Sequence, residues 1–230
     1  MIDFFSALSG LILAYLLGAI PFGLIIARAH GVDLRHCGSG NIGATNVFRC
    51  VGPRWGVLAF VLDMFKGMGG VWCAWIPTLW LEPVSLERFL LLRILCGAAA
   101  MLGHIFPIYL RFKGGKGVST ALGLLLGVAP LAGVIGFGCW GVAFLISRYV
   151  SVASCLAAVV VGAIVWTPLY GDSEHPIWFR ILIGLLAVLA IWKHRQNMLR
   201  LYQGTENRFA FTAAQRTVHT VKQNELEGGR

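Results

Sequence analysis

Stretches of about twenty apolar residues recur along this chain, and nothing else limits its fold so strongly. They fall at residues 4–27, 55–80, 86–105, 151–170 and 177–192, with a further apolar region at 118–147. A helix that crosses a bilayer needs ~17–25 largely apolar residues. The chain is 57% hydrophobic and 13% charged; a soluble domain carries about 25% charged residues. Strands of a membrane barrel would alternate apolar and polar with period two, and these runs do not. The sequence therefore reads as an all-α integral membrane protein. The first run is expected to kink at Pro21, and the second holds Asp63 and Lys66 at a spacing that favours a buried ion pair.

Residues 118–147 are too many for one span and few for two, with Gly127 and Pro130 near the middle. Loop charge decides between them. The loop at residues 28–54 carries Arg28, Arg35, Arg49 and Arg54 against Asp33. The loop at 106–117 carries Arg111, Lys113 and Lys116, and the last span is followed by Lys193, Arg195 and Arg200. The positive-inside rule puts all three on the cytoplasmic side. Glu82 and Glu87, and Asp172 with Glu174, mark two outer loops. Both sets hold only if residues 118–147 cross and return. The expectation is seven transmembrane helices, a short fourth among them, with the N-terminus outside and the C-terminus cytoplasmic. Trp72, Trp75 and Trp80 fit an outer aromatic belt. Residues 1–202 form the membrane domain, and residues 203–230 form a polar, poorly ordered cytoplasmic tail.

The net charge of +9 follows from these basic loops and can draw in anionic substrates. The cations are scattered among apolar runs, which argues against nucleic acid. Cys37, Cys50, Cys73, Cys96, Cys139 and Cys155 include no C-x-x-C pair and no zinc-type spacing with histidine. Neither a structural disulfide nor a metal site is expected, and no cofactor is implied.

Three polar motifs interrupt the apolar pattern, all on the predicted cytoplasmic side. The first is GSGNIGATN at residues 38–46, closely followed by Arg49. Gly38, Gly40 and Gly43 permit tight turns, while Ser39, Asn41, Thr45 and Asn46 bring hydroxyl and amide groups. Successive backbone N–H groups in such a turn can cradle an anion, and a guanidinium fork suits phosphate. The second motif is GHIFPIYLRFKGGKG at residues 103–117, where Gly114, Gly115, Lys116 and Gly117 directly precede an apolar helix. The third is HRQNMLR at residues 194–200; a continuing helix would set His194, Asn197 and Arg200 roughly along one face. Taken singly, the first is also compatible with a flexible linker, the second with an ordinary basic loop, and the third with a segment touching lipid headgroups. Ser151, at a cytoplasmic helix start, either caps that helix or joins the same polar face. Gly38, Gly40 and Gly43 fit G-x-G-x-x-G without the strand–helix context of a dinucleotide fold, and Gly115–Lys116 lacks the rest of a nucleotide-binding loop.

Together the motifs resemble the bacterial acyl-phosphate:glycerol-3-phosphate acyltransferase family, in GSGNIGATNVFR (38–49), DMFKG (63–67), GHIFPIYLRFKGGKG and HRQNMLR. The resemblance implies a seven-span enzyme of the bacterial inner membrane, active at the cytoplasmic face. It implies transfer of a fatty acyl group from acyl phosphate to the 1-hydroxyl of sn-glycerol 3-phosphate, giving lysophosphatidate and inorganic phosphate. On that reading Ser39, Lys116, His194 and Asn197 are catalytic. Gly38, Gly40, Asn41, Gly43, Thr45, Asn46, Arg49, Gly114, Gly115, Gly117 and Ser151 bind the phosphates. An acyl phosphate is already activated, so no Ser-His-Asp triad is needed, and none is found. Two rivals stand beside this reading: a phosphate or organophosphate transporter, and an acyltransferase that takes acyl-CoA. The chain lacks the H-x4-D pattern expected of many CoA-dependent enzymes of this kind.

Overall fold

The structure, a computed structural model, describes residues 4–80, 85–171 and 175–209. Glu82, Asp172, Glu174 and the tail from residue 210 lie outside these. The described residues form ten α-helices: α1 (Phe4–Ala19), α2 (Phe22–Ala29), α3 (Ala44–Cys50), α4 (Pro53–Trp72), α5 (Leu86–Ile105), α6 (Val118–Val128), α7 (Pro130–Ser147), α8 (Val150–Ile164), α9 (Ile177–Lys193) and α10 (Arg195–Tyr202). The protein is an all-α integral membrane protein. Four stretches, Ala7–Ala29, Pro53–Leu79, Leu86–Leu110 and Pro130–Ser147, are long and apolar enough to cross a membrane. A fifth forms if α9 and α10, bent by 45° at their junction, are taken together. Helices α6 and α8 are apolar but shorter.

Proline sets the break in the first run. Pro21 has no N–H to donate, so the helix stops at Ala19 and restarts at Phe22. The break frees the Ile20 carbonyl, and Lys66 of α4 donates to it at 2.7 Å. Lys66 also pairs with Asp63 at 2.9 Å, as the sequence suggested, and both side chains are buried. Close packing of α1 on α5 depends on two glycines. A Cβ at Gly18 would strike the Ala100 backbone, and one at Gly103 would strike the Tyr15 carbonyl. Small residues at such contacts are how helices approach where the hydrophobic effect between them is weak.

The region 118–147 divides at Ala129. Helix α6 has 11 residues and spans about 16 Å, roughly half the hydrocarbon thickness. Its exposed ends must then be satisfied inside the protein. Arg93 of α5 donates to the Gly127 carbonyl near the end of α6. The Tyr170 hydroxyl accepts from Ala132 N–H in the first turn of α7 at 2.8 Å. A core of Val71, Ile94, Leu124, Val128, Phe179 and Ile183 packs around this junction. The polar loops gather at the opposite ends of these helices.

Candidate functional site

The first motif is an ordered turn rather than a linker. Asn46 is buried and serves as its keystone. Its Oδ1 accepts from Ser39 N–H at 2.9 Å, while its Nδ2 donates to the carbonyls of Cys37 at 2.9 Å and Leu34 at 3.1 Å. Asn41 Oδ1 accepts from Gly43 N–H at 2.9 Å. Gly38 (φ 59°) and Gly40 (φ 69°) sit in the left-handed region that a side chain would strain. Contrary to the expectation of no disulfide, Cys37 and Cys50 are bonded, bracketing the motif. The chain turns back on itself at the start of α3, which brings together two residues whose spacing carries no signature.

The second motif is held from below. Gly115 N–H donates to the His104 carbonyl at 3.1 Å. A Cβ on Gly114 would strike that carbonyl, and one on Gly115 would strike the His104 ring. His104 Nδ1 lies 3.6 Å from Asp63 Oδ1, so the buried Asp63–Lys66 pair extends to the loop. Gly117 (φ 80°) then turns the chain into α6. Lys116 Nζ donates to Asn197 Oδ1 at 2.5 Å, joining the second and third motifs. Burial pulls its pKa down to about 8, with Glu206 opposing and Arg200 and Arg49 reinforcing the shift.

In the third motif the helix bends at His194 instead of continuing straight. His194 is buried, and its Nδ1 lies 2.8 Å from the Ala190 carbonyl. A carbonyl can only accept, so Nδ1 carries the proton and Nε2 keeps a free lone pair. Burial, aided by Lys116, pushes its pKa down to about 4; the ring is neutral at pH 7.

Glu206, which sequence reasoning missed, ties these parts together. It is 8% exposed. Its Oε1 accepts from Asn197 Nδ2 at 2.7 Å and from Ser151 Oγ at 2.9 Å. Its Oε2 accepts from Arg200 Nε at 2.9 Å. Burial alone would raise the carboxyl, but the hydrogen bonds from Asn197, Ser151 and Arg200 outweigh it and hold the group below its usual range. Arg49 donates to the Asn207 carbonyl at 3.3 Å; burial lowers its pKa, yet a guanidinium stays charged. The expected tail therefore packs on the site at least as far as Phe209, whose N–H donates to the Arg148 carbonyl at 2.8 Å. Ser151 reaches the polar face and does not cap α8.

These groups surround one end of a cavity of about 360 Å³. Ser39, Asn41, Gly43, Thr45, Asn46, Arg49, Lys116, Gly117, Ser151, His194 and Asn197 all line it. Gly38, Gly40, Gly114 and Gly115 do not; they shape the turns behind it. Most of the remaining wall is apolar and comes from α4–α9, including Phe60, Leu125, Phe137, Val161 and Leu186. One end thus presents cations and hydrogen-bond donors to an anion, and the other presents hydrocarbon.

Known proteins resemble this chain in sequence and in fold. A family model described as glycerol-3-phosphate acyltransferase matches residues 8–204. A glycerol-3-phosphate acyltransferase of Aquifex aeolicus is 43% identical over 205 residues, covering 89% of this chain and 100% of that protein. One from Roseiflexus sp. is 41% identical over 209 residues, covering 91% and 98%. A crystal structure of PlsY, an integral membrane glycerol 3-phosphate acyltransferase, in its glycerol 3-phosphate form superposes with a TM-score of 0.77 at 40% identity, over 89% of this chain and 96% of that one. Its lysophosphatidic acid form gives 0.75 at 39% identity, with the same coverage. By sequence and by fold, this chain belongs to the glycerol-3-phosphate acyltransferase family.

Proposed function

We propose that the chain acylates the 1-hydroxyl of sn-glycerol 3-phosphate with an acyl phosphate as donor, releasing inorganic phosphate and 1-acyl-glycerol 3-phosphate. The observation that carries this reading is the two-ended cavity, in which Lys116, Arg49 and His194 share one space with an apolar wall. Family membership supports glycerol 3-phosphate as the acceptor. The sequence resemblance supports acyl phosphate as the donor, and the chemistry of the site suits it. An acyl phosphate brings its own leaving group, so the protein must position two anions and neutralise charge as phosphate departs.

In this mechanism Arg49 and the loop at residues 38–46 hold the glycerol 3-phosphate. Lys116 stands by the donor phosphate and stabilises both the leaving group and the developing oxyanion. Ser39 and Asn197 orient the acyl carbonyl and the attacking hydroxyl. The hydroxyl oxygen bonds to the carbonyl carbon, and the bond from that carbon to the phosphate oxygen breaks. The phosphate leaves with the electron pair. The hydroxyl proton passes to the departing phosphate or, less readily because burial lowers the basicity of the ring, to Nε2 of His194. Glu206 holds Asn197, Ser151 and Arg200 in register, and the acyl chain lies along the apolar wall.

The same reading sets the protein in the cytoplasmic membrane of a bacterium with seven spans, the N-terminus outside and the site facing the cytoplasm. Residues 1–202 form its membrane domain, with the segment that follows completing the site. The test is product formation by purified protein given glycerol 3-phosphate and either palmitoyl phosphate or palmitoyl-CoA. Lysophosphatidate and inorganic phosphate appearing together, with palmitoyl phosphate only, is the expected result. Activity with palmitoyl-CoA only would overturn the donor and keep the acceptor. No lysophosphatidate with either, from folded protein, would overturn the reaction.

A further inference from the structure

The bond between Cys37 and Cys50 is a covalent clasp on the first motif. The two cysteines are 13 positions apart, and all of GSGNIGATNVFR lies between them. Cys37 stands at the entry, among the exposed residues Arg35, His36, Gly38 and Ser39. Cys50 ends α3 and packs on the buried cluster that includes Leu24, Val47 and Ala59. Gly38 lies against the same sulfur: a Cβ there would come within 3.1 Å of Cys50 Sγ. Cys73, Cys96, Cys139 and Cys155 are free thiols within the apolar stretches.

The state of these sulfurs bears on the keystone of the loop. Asn46 Oδ1, which accepts from Ser39 N–H, lies 3.8 Å from Cys50 Sγ. In the bonded state that sulfur carries no proton. Reduction gives it one, and with it a weak donor beside the oxygen that holds Ser39. Reduction also opens the covalent ring, so the loop regains conformational freedom. Ser39, Asn41, Thr45 and Arg49 all lie inside that ring and line the polar end of the cavity. The loosening is graded, since the bonds from Asn46 Nδ2 to the Leu34 and Cys37 carbonyls remain. Disulfides that form in a reducing cytoplasm are mostly transient or redox-sensing. A bond on a cytoplasmic loop, with one sulfur among exposed residues, is placed for exchange rather than for permanent bracing.

We propose that Cys37 and Cys50 are a thiol–disulfide exchange site for a cytoplasmic dithiol, and that their state sets how tightly the loop at residues 38–46 holds glycerol 3-phosphate. This rests on the reading above, which puts that loop in the cytoplasm and the acceptor on it. A thiolate of the dithiol attacks Cys37 Sγ, the S–S bond breaks, and Cys50 leaves as a thiolate. The second thiolate of the dithiol then attacks its own sulfur in the mixed disulfide, and Cys37 leaves in turn. Two electrons pass from the dithiol, which closes into its own disulfide, and the two protons it gave up end on the cysteines. The same steps run backwards when the oxidised partner is in excess. Bonded protein holds the acceptor tightly, and reduced protein holds it loosely.

The test is a redox titration of the purified full chain in lipid, with dithiothreitol and its cyclic disulfide as the couple. Differential alkylation and mass spectrometry read the bonded fraction of Cys37 and Cys50, and kinetics on the same samples give the KM for glycerol 3-phosphate. The expected result is reversible interconversion, with KM about fivefold higher in the reduced form and kcat nearly unchanged. Cys50→Ala should show the KM of the reduced parent at every ratio; should that variant fail to fold, the titration of the parent decides alone. A pair that stays bonded in excess dithiothreitol, or never bonds in excess disulfide, would overturn the exchange. Interconversion at constant KM, or a folded Cys50→Ala variant that still responds, would break its link to the loop. In cells, thiols trapped by acid and alkylated should shift from free to bonded on treatment with diamide; a pair fully bonded in untreated cells would contradict a cytoplasmic exchange site. Alkylation, and calorimetric binding of glycerol 3-phosphate to the two forms, need no turnover. Absence of acyl transfer in both redox states would therefore count against the proposed reaction, while equal binding by the two forms would count against this proposal.

Discussion

The loop at residues 38–46 is tied chiefly by its own side chains and is exposed at Gly38–Gly40, whereas the loop at residues 114–117 is held from beneath by the end of α5. In the first, Gly38, Ser39 and Gly40 are exposed, and Asn46 ties the turn to the carbonyls of Leu34 and Cys37. In the second, Gly115 and Gly117 are buried, and His104 presses on Gly115 with both its carbonyl and its ring. A locally tied loop takes its shape from its own hydrogen bonds. A loop seated on a buried Asp63–His104–Lys66 cluster is fixed to the bundle. On the proposed mechanism, the acceptor binds at the first and charge is neutralised at the second. Precision is built where charge develops.

Breaking the second loop should therefore have the largest effect. Gly115→Ala drives a methyl group into the His104 ring and displaces Lys116. Turnover is expected to fall about 10²-fold, as misplacement by an ångström can do, in protein that still elutes as a folded species. Breaking the keystone of the first loop should appear as lost stability. Asn46→Ala removes three hydrogen bonds from buried or part-buried positions and should cost about 2 kcal/mol, read as a lower melting temperature. A pH profile comes next in size. The Lys116 ammonium, with its pKa lowered to about 8, keeps its charge below that pH and loses it above. The kcat/KM should decline on the alkaline side by about tenfold per pH unit, and Lys116→Arg should abolish that limb, because a guanidinium does not deprotonate there. The smallest effect is expected at Gly40. Its positive φ makes Gly40→Ala cost about 1 kcal/mol, but it faces solvent behind the cavity, so turnover should stay near that of the parent.

Much of the frame could be read from the sequence, because apolar length and proline act locally. The span expected at residues 86–105 is α5, Leu86–Ile105. Pro21 and Pro130 each mark a break between helices. The buried Asp63–Lys66 pair was legible from a three-residue spacing in an apolar run. What escaped notice depends on contacts between distant residues. Glu206 is one acid in a polar stretch with no period, and only the fold shows it bonded to Ser151, 55 positions earlier. The seat of His104 under Gly115 likewise needs the turn that brings the loop back over its own helix. The Cys37–Cys50 bond needs the path of the intervening turn. The bend at His194 was missed because helical spacing carries no mark of where a helix changes direction.

The most direct measurement is a kinetic separation of the two loops, with acyl phosphate as donor and glycerol 3-phosphate varied. Arg49→Ala should raise the KM for glycerol 3-phosphate while kcat stays near that of the parent, the signature of lost ground-state binding. Lys116→Ala should lower kcat by roughly 10²–10³, as loss of a group that stabilises developing charge does, with a smaller change in KM. If both substitutions move the same parameter, or if Lys116→Ala turns over at a normal rate, the division of labour between the loops is wrong.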